Sequence, residues 1–318
     1  MNIVVVGLGA LGTTFATLLK KDGHQVFAIT KEKYLAELAD RKIRICGIWG
    51  DHEAILDGIY AGIGTLINEK IDLILLTVKS FDTEMAAKMI APLAGGSAIV
   101  VSAQNGYGNY EAVARIVGKE HALLARIIFG ARIVKTGYSE VTVIADDVRI
   151  GQPEGAIPAD IIIKIASEIN KAGVPSSYAA DVNEILWDKI LYNCALNPLG
   201  ALLECNYGLL AAHEHTRRVM NALIKEIFQV AGAHSIRLHW TSAEDYIDYF
   251  YGKLIPPTQE HYPSMYHDLK AGKRLEIDAL NGAIVNLAGE KGVPVPVNET
   301  IVCLIEVKEK LSQGNKSH

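Results

Sequence analysis

The segment NIVVVGLGALG, residues 2–12, constrains the fold more than any other stretch of the chain. NIVVV has the β-branched character of a strand. Gly7, Gly9 and Gly12 follow it at G-x-G-x-x-G spacing and open a helix predicted over Ala10–Asp22. Alone, that spacing is a weak signal; between a strand and a helix it marks a dinucleotide-binding βαβ unit. Gly7 permits the tight turn, Gly9 lets a pyrophosphate approach the backbone, and Gly12 lets helix and strand pack closely. The phosphates then lie at the positive end of the helix. Gly7, Leu8, Gly9, Ala10, Leu11 and Gly12 are therefore candidate cofactor contacts. The competing explanation is a glycine-rich turn that binds nothing.

The segments that follow extend this pattern. Gly23 is placed to close the first helix as a left-handed cap, and QVFAIT reads as the second strand. IDLILLTV and SAIVVS are almost wholly apolar, as expected of strands covered on both faces in a parallel sheet. ALLARIIFGARIV and EVTVIADDVRIGQP are β-rich and are expected to form an antiparallel edge. PADIIIKIASEINKAGV has the period of an amphipathic helix, with Pro158 near its start and Gly173 at its end. Beyond about Ala180, from Asn183 to Leu311, helical periods replace alternation. The chain of 318 residues is thus expected to form two domains, an α/β dinucleotide-binding domain over 1–180 and an all-helical domain over 181–318. Only the terminal SQGNKSH reads as a disordered tail.

Bulk properties exclude several classes of function. The net charge of −5 and the lack of any basic block argue against nucleic acid or an anionic membrane as partner. Apolar runs such as Leu73–Leu76 and Ala98–Val101 are far too short to span a bilayer. Cys46, Cys194, Cys205 and Cys303 are scattered without a C-x-x-C, and the first strand starts directly after Met1, where a cleaved signal would remove it. Both features fit a reduced, cytoplasmic protein.

Three further positions fall on the rim that holds the glycine loop. Thr30 and Lys31 follow the second strand, where an NAD site usually has an acidic residue for the ribose 2′-hydroxyl. A hydroxyl and a cation suit the 2′-phosphate of NADP instead, although an inward-turned Glu32 would reverse that preference. TVKSFDT places Lys79 at one strand end, and SAQNGYGN places Asn105 at the next. Taken singly, Lys79 is an ordinary surface lysine and Asn105–Gly106 a simple turn. Shared position on the carboxyl edge of the sheet favours function.

In EILWDKILYNCALNPLGALLEC, residues 184–205, Lys189, Asn193 and Asn197 recur every four residues among Leu, Ile, Trp and Cys. One explanation is a solvated helix face broken by Pro198. The other is chemical: hydride addition to a ketone creates an alkoxide, and a lysine sheltered by apolar neighbours can supply its proton. Neutral carboxamides at 193 and 197 can bind a polyfunctional substrate without adding charge.

These pieces resemble the 2-dehydropantoate 2-reductase (ketopantoate reductase) family. The resemblance rests on GLGALG, TVKS with Lys79, QNGYG with Asn105, WDKILYNCALNPLGAL, and SMYHDLKAGKRLEIDALNG with Ser264 and Glu276, and it covers nearly the whole chain in order. It implies an N-terminal Rossmann-type doubly wound sheet and a C-terminal all-α domain like that of 6-phosphogluconate dehydrogenase. It also implies NADPH-dependent reduction of ketopantoate to pantoate on the route to coenzyme A, in a cleft between the domains. By the same resemblance Lys189 is the general acid, and Glu276 holds the substrate hydroxyl and helps orient the complex. Ser264 contacts the carboxylate, Asn193 and Asn197 contact the hydroxyl and its surroundings, and Lys79 and Asn105 lie by the nicotinamide and the reacting carbonyl, with Asn105 touching both cofactor and substrate. The chain departs from the family at His261, Pro263 and His267, beside the substrate serine, and has Lys31 where Arg is common. His261 remains able to hydrogen-bond a ligand. The departures bear on substrate identity more than on chemistry, so reduction of another branched 2-oxo acid is the alternative. A non-catalytic NADPH-binding regulator is a third reading, which would have no need of the lysine stripe.

Other features are assigned to packing. His213 and His215 diverge on a helix, and nothing completes a zinc set. Cys194 and Cys205 read as small core residues. The aromatic cluster YIDYFYGKL is assigned to helix packing, with a homodimer contact as the alternative.

Overall fold

The protein is described by a computed structural model covering residues 1–314; Asn315–His318, the last part of the expected tail, lie outside the described residues. The chain divides into two compact units, Met1–Asn183 and Glu184–His318. No helix among the described residues is long and apolar enough to cross a membrane.

In the first unit β1 (Asn2–Val6) leads through α1 (Ala10–Lys21) to β2 (Gln25–Ile29). Then come β3 (Lys42–Gly47), β4 (His52–Ile55), β5 (Gly58–Tyr60) and β6 (Leu73–Leu76). After them follow α2 (Thr83–Ala94), β7 (Ile99–Ser102), α3 (Asn109–Val117), β8 (Ala122–Arg126), β9 (Phe129–Lys135) and β10 (Tyr138–Ile144). The unit closes with β11 (Val148–Gly151), α4 (Ala159–Lys171) and β12 (Ser176–Tyr178). The main sheet has eight strands in the order β12-β11-β8-β7-β6-β1-β2-β5. All its pairs are parallel except β11 with β8. Gly23 follows α1 in the left-handed conformation expected of it, and Gly173, expected at the end of α4, follows that helix with a positive φ as well.

A second sheet, β4-β3-β10-β9, packs across α1. Phe15, Ala16, Leu18 and Leu19 of α1 share one core with Ile43, Ile45 and Val141 of that sheet and with Ile3, Val5 and Leu73 of the main one. The expected antiparallel edge is therefore corrected. Each β-rich segment splits between the two sheets. β8 and β11 pair in the first, while β9 and β10 pair in the second. Both halves of each segment suit a strand equally, so composition could not place the break; the apolar faces of α1 and its neighbours decide it.

The second unit is helical, as expected. Its elements are α5 (Val182–Leu203), which starts just before the unit boundary, α6 (Tyr207–Ala212), α7 (Glu214–Ala233) and α8 (Ala243–Tyr249), followed by α9 (Ser264–Lys270), α10 (Asn281–Lys291) and α11 (Pro296–Gly314). α8 runs on into a π turn over Phe250–Leu254. Tyr246 and Phe250 are fully buried, with ring centroids 6.0 Å apart, and Phe250 also meets Tyr192 edge-on. Burial of one such ring is worth about 1.5–3 kcal/mol. Packing is thus the structural role of these two members of the aromatic cluster. Cys194 is fully buried as expected, but Cys205 is only half-buried. Ser312–Gly314, expected in the tail, complete the last turn of α11, where Ser312 Oγ donates to the Glu309 carbonyl.

The buried Glu226 of α7 holds the start of α11. Its carboxylate accepts from the Val297 and Asn298 backbone N–H groups, both at 2.9 Å, and from Asn298 Nδ2 at 2.7 Å. Asn298 Oδ1 accepts from Asn281 Nδ2, which also donates to the Cys194 carbonyl at 3.2 Å. The satisfied buried carboxylate thereby ties α10 and α11 to the middle of α5.

Candidate active site

In the first unit the expected residues line one rim. Strand order places the carboxyl ends of β7, β6, β1 and β2 side by side. They carry, respectively, Asn105, Lys79, the glycine loop and Lys31. β1 lies between β2 and β6, the strands reached from its two sides, so the loops after β1 and β6 flank the topological switch point where open α/β sheets bind ligands.

The three glycines meet three different demands. Gly7 has φ +100°, and a Cβ there would stand 2.9 Å from Val78 Cγ1. At Gly12 a Cβ would lie 1.9 Å from the Gly7 carbonyl oxygen, a contact no side chain can make. At Gly9 a Cβ would meet nothing within 4 Å. That opening lies at the N-terminus of α1, which has no side-chain cap and no acidic residue in its first turn. Backbone amides and the helix dipole there favour an anion, so these residues fit a pyrophosphate. Thr77 Oγ1 donates to the Val6 and Gly7 carbonyls at 3.0 and 2.7 Å and fixes the loop to the end of β6.

Lys79 is half-buried just before the short 3₁₀ turn Ser80–Asp82. Asn105 is half-buried in a loop clamped by residues that the sequence reading missed. Ser102 Oγ donates to Gln104 Oε1, Gln104 Nε2 to Thr83 Oγ1, and Thr83 Oγ1 to Asn109 Oδ1, each at 2.7 Å. Asn109 Nδ2 then donates to the Asn105 carbonyl at 2.8 Å. All four side chains belong to buried residues. The signal available in sequence was a run of small polar residues after a strand that carries no charge. Lys31 is exposed after β2, and its amine lies 3.0 Å from Asp82 Oδ2. Glu32 is exposed as well.

In the second unit, α5 is continuous through Pro198. Lys189 and Asn193 are half-buried and Asn197 is 7% exposed. A solvated face broken at the proline is thus not what forms. Trp187, Ile190, Leu191 and Cys194, which flank the polar row, are at most 1% exposed.

Two segments converge on this helix. The stretch before α9 meets its C-terminal half: a Cβ on Gly200 would lie 2.8 Å from Pro263 Cγ, and Tyr207 Oη donates to Asn197 Oδ1 at 2.8 Å. The Tyr207 and His261 rings stand 5.2 Å apart, and the Tyr207 N–H donates to the His261 carbonyl. His261 is exposed overall, but desolvation of its ring and repulsion by His267 lower its pKa from 6.5. Ser264 is exposed at the first position of α9. The second segment, Glu276–Asn281, reaches α5 through the bond from Asn281 to Cys194. Glu276 is half-buried at its start; Lys273 pairs with Asp268, and Arg274 with Asp278.

Comparison with known proteins adds three findings. A family profile described as "Ketopantoate reductase PanE/ApbA" matches residues 3–155, and "Ketopantoate reductase PanE/ApbA C terminal" matches residues 181–309. The 2-dehydropantoate 2-reductase of Aquifex aeolicus (strain VF5) is 43% identical over 312 residues, 97% of each chain. Two solved structures cover 98% of this chain. A PanE/ApbA family ketopantoate reductase from Ralstonia eutropha JMP134 has a TM-score of 0.85 and 27% identity over 100% of its own length. D-mandelate dehydrogenase with NADH and anilino(oxo)acetate reaches 0.87 at 22% identity over 99% of its length, a likeness of fold.

Proposed function

Since the chain belongs to the ketopantoate reductase family, we propose how its own residues carry out the reduction. It is an oxidoreductase that acts on 2-dehydropantoate in pantothenate biosynthesis. The observation that carries the mechanism is the row Lys189, Asn193 and Asn197, half-buried to buried among the apolar residues of one long helix. A reduced nicotinamide dinucleotide, NADPH by the reading of Lys31, supplies the hydride when bound.

The loop Gly7–Gly12 receives the pyrophosphate on backbone N–H groups, and Lys31 meets the 2′-phosphate. Lys79 and Asn105 face the nicotinamide end of the same rim. The helical unit takes the substrate: Asn193 and Asn197 bind its hydroxyl and nearby oxygens, Ser264 its carboxylate, and Glu276 orients it. As hydride reaches the ketone carbon, the Lys189 ammonium passes a proton to the developing alkoxide. Sheltering beside apolar neighbours strengthens that charge stabilisation. A small 2-oxo acid is accordingly the partner; the cytoplasmic location and a homodimer belong to this proposal too.

A second reading, another branched 2-oxo acid as preferred substrate, is favoured by one observation. His261 meets the Tyr207 ring and Pro263 lies against Gly200, so two of the three departures from the family sit beside residues that flank Asn197. Purified protein mixed with ketopantoate and either NADPH or NADH tests both readings, across a panel of 2-oxo acids. Loss of the reduced nicotinamide absorbance, fastest with NADPH and ketopantoate, is expected. No loss with any of the panel rejects the mechanism, and a faster rate on another acid selects the second reading.

A further inference from the structure

We propose that Tyr207 is a positioning residue that fixes the Asn197 carboxamide with its amine turned to substrate, so that this position reads substrate oxygen atoms only. The proposal rests on the reading of Asn197 as a substrate contact. Asn206 begins the construction: its side chain accepts from the Leu209 N–H at 2.9 Å and sets the start of α6. Tyr207 is then the first helical residue, its side chain turned inward and 3% exposed. Its N–H donates to the His261 carbonyl at 3.1 Å, and the Gly208 N–H donates to the Gln259 carbonyl at 2.8 Å. A Cβ on Gly208 would stand 3.0 Å from that same Gln259 oxygen, so any larger residue would push the two segments apart by a few tenths of an ångström.

Held there, the phenol donates to Asn197 Oδ1 at 2.8 Å. Burial and the neighbouring Tyr192 keep the hydroxyl protonated well above the ordinary tyrosine range, so it remains a donor. A carboxamide carries opposite polarities on its two ends: the oxygen accepts and the nitrogen donates. With Oδ1 engaged by the phenol, Nδ2 is the end presented to a ligand. Flipping the amide would set its donor end, Nδ2, against the phenol, and the bond from the hydroxyl to Oδ1 would be lost. A donor at this position binds a hydroxyl, ketone or carboxylate oxygen and repels an ammonium. Acids bearing a second oxygen are accepted, and amino analogues of the same shape are refused.

A double-mutant cycle tests this. Tyr207→Phe removes one oxygen. It is expected to raise KM for ketopantoate about tenfold, the scale of one lost hydrogen bond to a polar group, with kcat within about twofold and dinucleotide affinity unchanged. In an Asn197→Ala background the same change should move KM by less than about twofold. Equal increases in both backgrounds would overturn the proposal, because the phenol would then act on something other than the amide. A raised KM for Asn197→Ala with none for Tyr207→Phe would remove Tyr207 alone. No change for Asn197→Ala would remove the reading of Asn197 and the proposal with it. Asn197→Asp guards against a misfolded Tyr207 variant: it keeps the shape and the phenol bond but replaces donor by acceptor. Unchanged thermal unfolding with KM raised at least as far as in Asn197→Ala is expected. Wild-type KM in Asn197→Asp would overturn the donor assignment.

Discussion

In Met1–Asn183 the candidate contacts all leave the carboxyl ends of parallel strands, and the candidate pyrophosphate contacts are backbone groups. In Glu184–His318 three of them come from one face of α5 and the others from segments packed on it, and nearly all are side chains. The two kinds of site fail differently. A backbone site is defined by where a Cβ can fit, so its tolerance is steric and position by position. A side-chain site depends on which atom each neighbour engages, so removing one oxygen can alter recognition while the fold stays intact.

The largest expected break falls on the helical side. Lys189→Ala should cut kcat by about 10²–10⁴-fold, the usual worth of a positioned proton donor, with dinucleotide affinity unchanged. Steady-state rates beside a direct binding titration decide it, and an undiminished rate would dismiss Lys189 as the acid.

On the backbone side, two glycine substitutions should separate packing from ligand approach. Gly12→Ala forces a Cβ to 1.9 Å from the Gly7 oxygen and should cost about 1–3 kcal/mol or more, seen as earlier thermal unfolding. Gly9→Ala meets no protein atom, so it should unfold like the parent yet bind dinucleotide more weakly. If the two variants lost stability equally, the division of labour within the loop would be wrong.

His261 gives a smaller, pH-dependent effect. Desolvation and repulsion from His267 disfavour its imidazolium, so it stays neutral at pH 7 and charges only below its ordinary value of 6.5. KM for the anionic substrate should be flat above neutrality and fall as pH drops below that value. His261→Asn should abolish the acid limb and shift preference towards ketopantoate. An acid limb of KM that survives the substitution would assign the pH dependence to another group.

The smallest effect is expected at Asp82. Its carboxylate holds Lys31 at an exposed pair, an interaction of low intrinsic strength. Asp82→Asn should free the amine and raise the NADPH-to-NADH preference by a few-fold, on the order of a surface ion pair, with the gain shrinking at high salt. Competition titrations at two ionic strengths measure it; equal gains for both dinucleotides would take Lys31 out of 2′-phosphate recognition.

The glycine spacing, the strand runs and the change of texture near Ala180 were legible because each is a local, periodic property of the chain. Spacing alone placed Lys189, Asn193 and Asn197 on one helix face. It could not say whether that face met water, since Pro198 leaves both outcomes open to the sequence. Residues far along the chain decided it. β3 and β4 form the half of the second sheet that no motif announced; both pack on α1, and Ile43 and Ile45 of β3 are buried there. The Thr83–Gln104–Asn109 clamp and the Tyr207–Asn197 bond escaped notice for the same reason: each joins small or aromatic residues from different elements.

By itself, then, the sequence determined where backbone must turn tightly, which stretches suit strand or helix, and which polar groups share a helix face. Those follow from sterics and periodicity within a few residues. Which end of the Asn197 amide meets the Tyr207 phenol, how the β-rich segments divide between two sheets, and that Lys31 is held by Asp82 were decided only by tertiary structure. Each depends on a partner tens of residues away, brought within contact distance when the apolar faces are buried.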